Sequence, residues 1–139
     1  MHHFSDINWL AVVVAVVASF AVGSLWYGPL FQKPWMRASG MTFEKGKQGN
    51  MALTFGGTAV LNLLIAVAIA LLAGPHAGWK MGLHTGLFSA FFFVATALGV
   101  IYLFEQRPLT LWLVNTGYQL VTFSVMGAII GAWPWPLFR

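Results

Sequence analysis

His84, Asn62, Ser89, Asn115, Gln119 and Thr122 are the side chains whose types and positions could do chemistry, and each lies within a long apolar run. An imidazole at such a place can take a metal, an axial cofactor or a proton. Amides and hydroxyls there either join helices or line a path for a small solute or ion. Further histidines are scarce partners. His2 and His3 precede the first run and His76 follows the second, so no pair has ligand spacing on one helix. Only Asp6 could add a nearby carboxylate. No metal site is therefore expected, and a hydrogen-bonded His84 is the ordinary outcome, with cofactor contact its alternative.

The acids narrow the choice further. Asp6, Glu44 and Glu105 all fall at helix ends or in loops, whereas proton-coupled exchangers keep a carboxylate inside the membrane. This argues against the small multidrug exporters, which depend on a glutamate in their first helix. The chain has no cysteine, which removes disulfides, thiolate metal sites and cysteine nucleophiles. It has no His-Glu-x-x-His, Gly-x-Ser-x-Gly or phosphate-loop motif. His84 is the only base at membrane depth, so a non-enzymatic protein with no catalytic residue is expected.

The elements that position these residues follow from composition. Of 139 residues 59% are hydrophobic and 7% charged, with a mean hydropathy of +0.78. A soluble domain has roughly 25% charged residues. About 20 apolar residues cross a bilayer core, and four windows qualify: 7–27, 51–73, 80–104 and 109–131. Gly28-Pro29 and Pro34, Gly74-Pro75, and Arg107-Pro108 read as breakers between them, and Trp133-Pro134-Trp135-Pro136 ends the last. The prediction is an all-α, integral membrane four-helix bundle, one transmembrane domain over 1–139. Its outer loops are short, and a longer basic cytoplasmic loop covers 28–50.

Met1 to Asp6 lack the basic stretch of a signal peptide, so the first run reads as a retained helix. Lys33, Arg37, Lys45, Lys47 and Arg107 fall on one side, against Lys80 and Arg139 on the other. That bias predicts a multi-pass protein with both termini outside. Aromatic residues form two belts: Trp9, Trp79, Trp133 and Trp135 outside, and Trp26, Tyr27, Trp35, Tyr102 and Trp112 inside. Headgroup anchoring accounts for nearly all of the tryptophans, with one or two pocket-shaping rings as the alternative. The basic residues are too scattered to follow a phosphate backbone, so no nucleic acid is expected.

Small residues predict where helices meet. Ala11, Ala15, Ser19 and Gly23 repeat every four residues, as do Gly82, Gly86 and Ala90, and Gly127 and Gly131. Their partners lie either in this chain or in another subunit. At about 1.5 Å per residue, Asn62, Ser89 and Gln119 reach the middle of their spans. Asn115, Gln119 and Thr122 share one face, with Tyr118 beside them. These amides are expected to point into the bundle, as interhelical glue or as a polar lining.

Asn8, the small-residue helix, Gly23-x-x-Trp26-Tyr27-Gly28-Pro29-Leu30-Phe31 and the later Trp35 form an unusual combination. With Asn115-x-Gly117-Tyr118 in the last span, they resemble an uncharacterised family of small bacterial inner-membrane proteins, domain of unknown function 1761. The resemblance covers essentially the whole chain and implies a four-helix membrane protein from a bacterium. It brings neither an activity nor catalytic residues. Together the readings predict an accessory or scaffolding subunit of a larger membrane complex, respiratory or photosynthetic, or else a small channel or transporter. Membrane lipid, other membrane-protein subunits or further copies of the chain are its expected partners. No cofactor is predicted beyond bound lipid, with pigment or quinone contact as the alternative. Trp35 and its neighbours could also fold the first loop back under the bundle.

Overall fold

The computed structural model describes residues 3–42, 44–45 and 49–133. Readings made for His2, Lys47, Trp135, Arg139 and the prolines around Trp135 lie outside the described residues. The spans are α1 (Trp9–Leu30), α3 (Met51–Ala73), α4 (Gly78–Phe104) and α5 (Leu109–Ala132), each long and apolar enough to cross a membrane. A short helix, α2 (Gln32–Ser39), follows α1. No strand occurs among the described residues. The all-α, four-span architecture is therefore as read from the sequence.

Helix starts have identifiable causes. The Asn8 side chain accepts from the backbone N–H groups of Leu10 and Ala11, at 3.1 and 3.2 Å. Asn50 caps α3 in the same way through Leu53. Each cap satisfies donors that a helix leaves open at its first turn.

Two expectations about the first connection are corrected. Gly28-Pro29 does not end α1. Pro29 has no N–H to give the normal i→i−4 bond, and the last turn, Trp26–Leu30, widens into a π-helix closed by Phe31 N–H to Trp26 O at 2.8 Å. Nor is 28–50 simply a loop, because α2 occupies its first part and packs on α5. Pro34 is tolerated since it sits in the first turn of α2, where backbone donors need no helical partner. Gly40, at φ +78°, closes α2 in the left-handed conformation.

α4 is also interrupted, by a π-helical segment over Ala90–Ala95. Such a segment frees carbonyls, which hydrocarbon does not tolerate. Here the Thr96 hydroxyl donates to Phe92 O and Phe93 O, at 2.7 and 3.2 Å. The indole of Trp112 on α5 donates to Ala95 O at 2.9 Å.

The core lies among α1, α3, α4 and α5, around Val12, Ala15, Ala66, Ile69, Phe123 and Met126. Ala11, Ala15 and Ser19 of the first small-residue stripe are fully buried, and the helix packs chiefly on α5. The other two stripes find each other. A methyl group built on Gly82 would fall on the carbonyl oxygen of Gly127, and one on Gly127 would fall on that of Gly82. Gly86 meets the Phe123 carbonyl and Gly131 the Gly78 carbonyl in the same manner, and Ala90 is buried just beyond. This backbone-on-backbone seam joins α4 and α5 at the end of the bundle where α1 begins and α5 ends.

Candidate functional site

The opposite end is organised by aromatic rings. The widened turn of α1 directs Trp26 and Tyr27 at α5, where the other sequence motif waits 88 residues away. The Trp26 indole N–H donates to Val114 O at 2.9 Å. Its ring lies on Gly117, where an added Cβ would come within 2.8 Å of Cζ2. In return the Tyr118 ring lies on Gly23, 3.5 Å from where a Cβ there would sit. Each motif contributes a glycine floor and an aromatic ring, and each ring covers the other's floor.

A hydrogen-bond chain runs alongside. Tyr27 donates its hydroxyl proton to Asn115 Oδ1 at 2.6 Å, and Asn115 Nδ2 donates to the Tyr102 hydroxyl at 3.0 Å. One amide thus joins α1, α4 and α5. Trp35 of α2 packs edge-on against Tyr27 with centroids 5.4 Å apart, and Phe31 lies on Trp26 at 4.5 Å. Tyr27 and Tyr118 are 5.2 Å apart. The first connection is folded back onto the bundle through these contacts, while Gly28 has open space around it.

This geometry corrects the inner aromatic belt. Trp26, Tyr27, Tyr102 and Trp112 are half-buried and hydrogen-bonded to other helices. Trp112 repeats the Trp26 device, its indole nitrogen 3.2 Å from where a Cβ on Gly99 would stand. Gly99 was not singled out by sequence reasoning; a lone glycine one span from a tryptophan is too weak a signal. Trp9 and Trp79, 49% and 54% exposed, do stand outward as belt residues should.

The remaining polar residues separate. Asn62 is buried and donates to Ser19 Oγ at 2.9 Å, tying α3 to α1. Gln119 is half-buried and takes part in neither amide network. The Thr122 hydroxyl is buried with no hydrogen-bond partner among the described residues. Ser89 does not join the interior set. Its hydroxyl returns to Thr85 O at 2.8 Å, within its own helix, and it faces a groove that His84, Leu72 and Met81 also line. A hydroxyl satisfied four residues back needs no partner across the bundle. His84 itself is exposed in that groove, and the described residues hold no cluster of three metal-ligating side chains.

A cleft of about 490 Å³ adjoins the docked motifs between α1 and α3. Ser19, Phe20 and Ser24 line one wall, Thr54 and Thr58 the other, with Tyr118 behind.

Four apolar spans closed around such an interior define a helical membrane protein. The chain belongs to the family described as a protein of unknown function, DUF1761, whose model matches residues 10–131. Both docked motifs fall inside that match. No curated protein and no solved structure matches the chain.

Proposed function

We propose that this chain is a non-enzymatic accessory or scaffolding subunit of a larger complex, respiratory or photosynthetic, in a bacterial inner membrane. Both termini lie on the outer side, as the lysine and arginine bias favours. One observation carries the reading: two of the three amides that a solute pathway would use, Asn62 and Asn115 but not Gln119, are already bonded to protein partners. Asn62 is spent on Ser19, and Asn115 on Tyr27 and Tyr102. An amide with its bonds satisfied inside the bundle joins helices and offers little to a passing ion. The outward faces of α3 and α4 meanwhile carry large apolar side chains, among them Leu61, Leu64, Phe91 and Phe93. Lipid and neighbouring subunits both suit such faces.

The test is native-gel migration of the untagged protein from its own membrane, with mass spectrometry of what migrates with it. A defined set of membrane subunits is expected. Migration of the chain alone, together with proteoliposome flux that Asn62→Leu abolishes, would overturn the reading in favour of a channel or transporter.

A further inference from the structure

The cleft between α1 and α3 has features that a packing defect would not need. Its volume, about 490 Å³, is in the range of small-molecule sites. It is open between the two helices, where Ser24, Thr54 and Phe55 are all exposed. Both helices are membrane spans, so this mouth faces the bilayer laterally. No charged side chain lines it, which disfavours a phosphate or carboxylate, since neither would find a counter-charge.

Its donors are specific. Ser19 is occupied by Val16 O and Asn62, Thr58 by Thr54 O, and Tyr27 by Asn115. The hydroxyls of Tyr118, Ser24 and Thr54 have no hydrogen-bond partner among the described residues. Of these only Tyr118 stands at the back of the cleft, with its ring fixed against Gly23 and Tyr27. A fixed phenol at membrane depth with an unused O–H is costly unless an acceptor reaches it. Around it the walls are aromatic: Phe20 and Phe55 meet across the helices at 6.3 Å, and Tyr27 pairs with Tyr118 at 5.2 Å. Flat rings pack well against such walls in offset or tilted arrangements.

We infer that this cleft binds a neutral, lipid-soluble ring compound with a carbonyl acceptor, of the quinone class. The ring enters from the bilayer, a carbonyl oxygen accepts from Tyr118, and the apolar tail remains among the lipids. The inference is independent of the subunit reading, because binding requires no partner protein.

Native mass spectrometry of the purified protein, titrated with a decyl-substituted benzoquinone in neutral detergent, tests it. A single saturable adduct is expected. Tyr118→Phe keeps the ring and removes only the donor, and should weaken binding about three- to tenfold, the worth of one hydrogen bond. Thr58→Phe fills the cleft and should abolish the adduct. Val121→Phe, in the separate groove between α4 and α5, should leave it unchanged. Thermal midpoints confirm that each variant is folded. Adducts that rise without saturation, or that are equal in wild type, Tyr118→Phe and Thr58→Phe, would overturn the proposal. So would disulfide-linked dimers of Thr58→Cys, the only thiol in that variant, since a second copy would then occupy the cleft.

Discussion

The two ends of the bundle use glycine in opposite ways. At the end where α1 begins, Gly82 and Gly127 bring two backbones into direct contact, with only main chain between α4 and α5 at those positions. At the other end Gly23, Gly99 and Gly117 each make a floor for an aromatic ring from a neighbouring helix. Hydrocarbon provides no hydrophobic drive between helices, so both ends depend on close contact and on polar groups finding partners. The seam achieves contact by removing side chains. The ring-on-glycine contacts achieve it by fitting one large side chain into the space left by an absent one, and at Gly117 and Gly99 the ring also aims an indole N–H at a helix carbonyl. A seam has no side chain that could yield. A ring on a floor can tilt.

That difference sets an order of expected damage. Gly127→Leu should cost most, about 3 kcal/mol, because overpacking here meets a carbonyl that cannot move aside. Thermal unfolding in detergent should show loss of the assembled bundle. Gly117→Val collides with the Trp26 indole, which can shift, so a smaller cost of about 2 kcal/mol is expected. Combining it with Trp26→Ala should cost clearly less than the sum of the two single changes, the signature of direct contact. Additive losses would show that the indole does not rest on that glycine.

Asn115→Leu removes both hydrogen bonds of the chain from Tyr27 to Tyr102. At about 0.6 kcal/mol for each interhelical bond in a membrane, a loss near 1 kcal/mol is expected. Faster proteolysis after α2 should accompany it, since Trp35 rests on Tyr27. Asn62→Leu should be mildest, about 0.6 kcal/mol, because Ser19 keeps its own bond to Val16 O. A loss from Asn62→Leu exceeding that from Gly117→Val would reverse the ranking and make the α1–α3 amide the main support.

Much of this fold was legible before any coordinates. The spans follow from apolar length alone, and α3 begins and ends where the sequence placed it, at Met51 and Ala73. The caps at Asn8 and Asn50 went unread, because the windows were drawn from apolar length alone. α2 was missed because Gly28-Pro29 and Pro34 read as breakers, although Gln32, Lys33, Met36, Arg37 and Ala38 are good helix formers. It is held by packing, through Trp35 on Tyr27 and through α5. Gly28-Pro29 was misread because a proline that stops a helix and one that widens its last turn look alike in sequence.

The candidate site divides in the same way. Asn115, Tyr27 and Trp26 stood out by residue type and spacing. Their pairing could not be read, because the motifs are 88 residues apart and side-chain direction depends on a π turn. Trp112 reads as a headgroup anchor by its position near a span end, yet the carbonyl freed at Ala95 draws it inward.

By itself the sequence determined the local terms: four apolar lengths and the small residues at four-residue intervals. These depend on residues within a few turns of one another, so a linear reading suffices. Which glycine faces a backbone and which faces a ring was decided only by the tertiary structure. That choice depends on how far the helices approach at each depth and on how two irregular turns rotate the rings, and both are properties of the packed bundle.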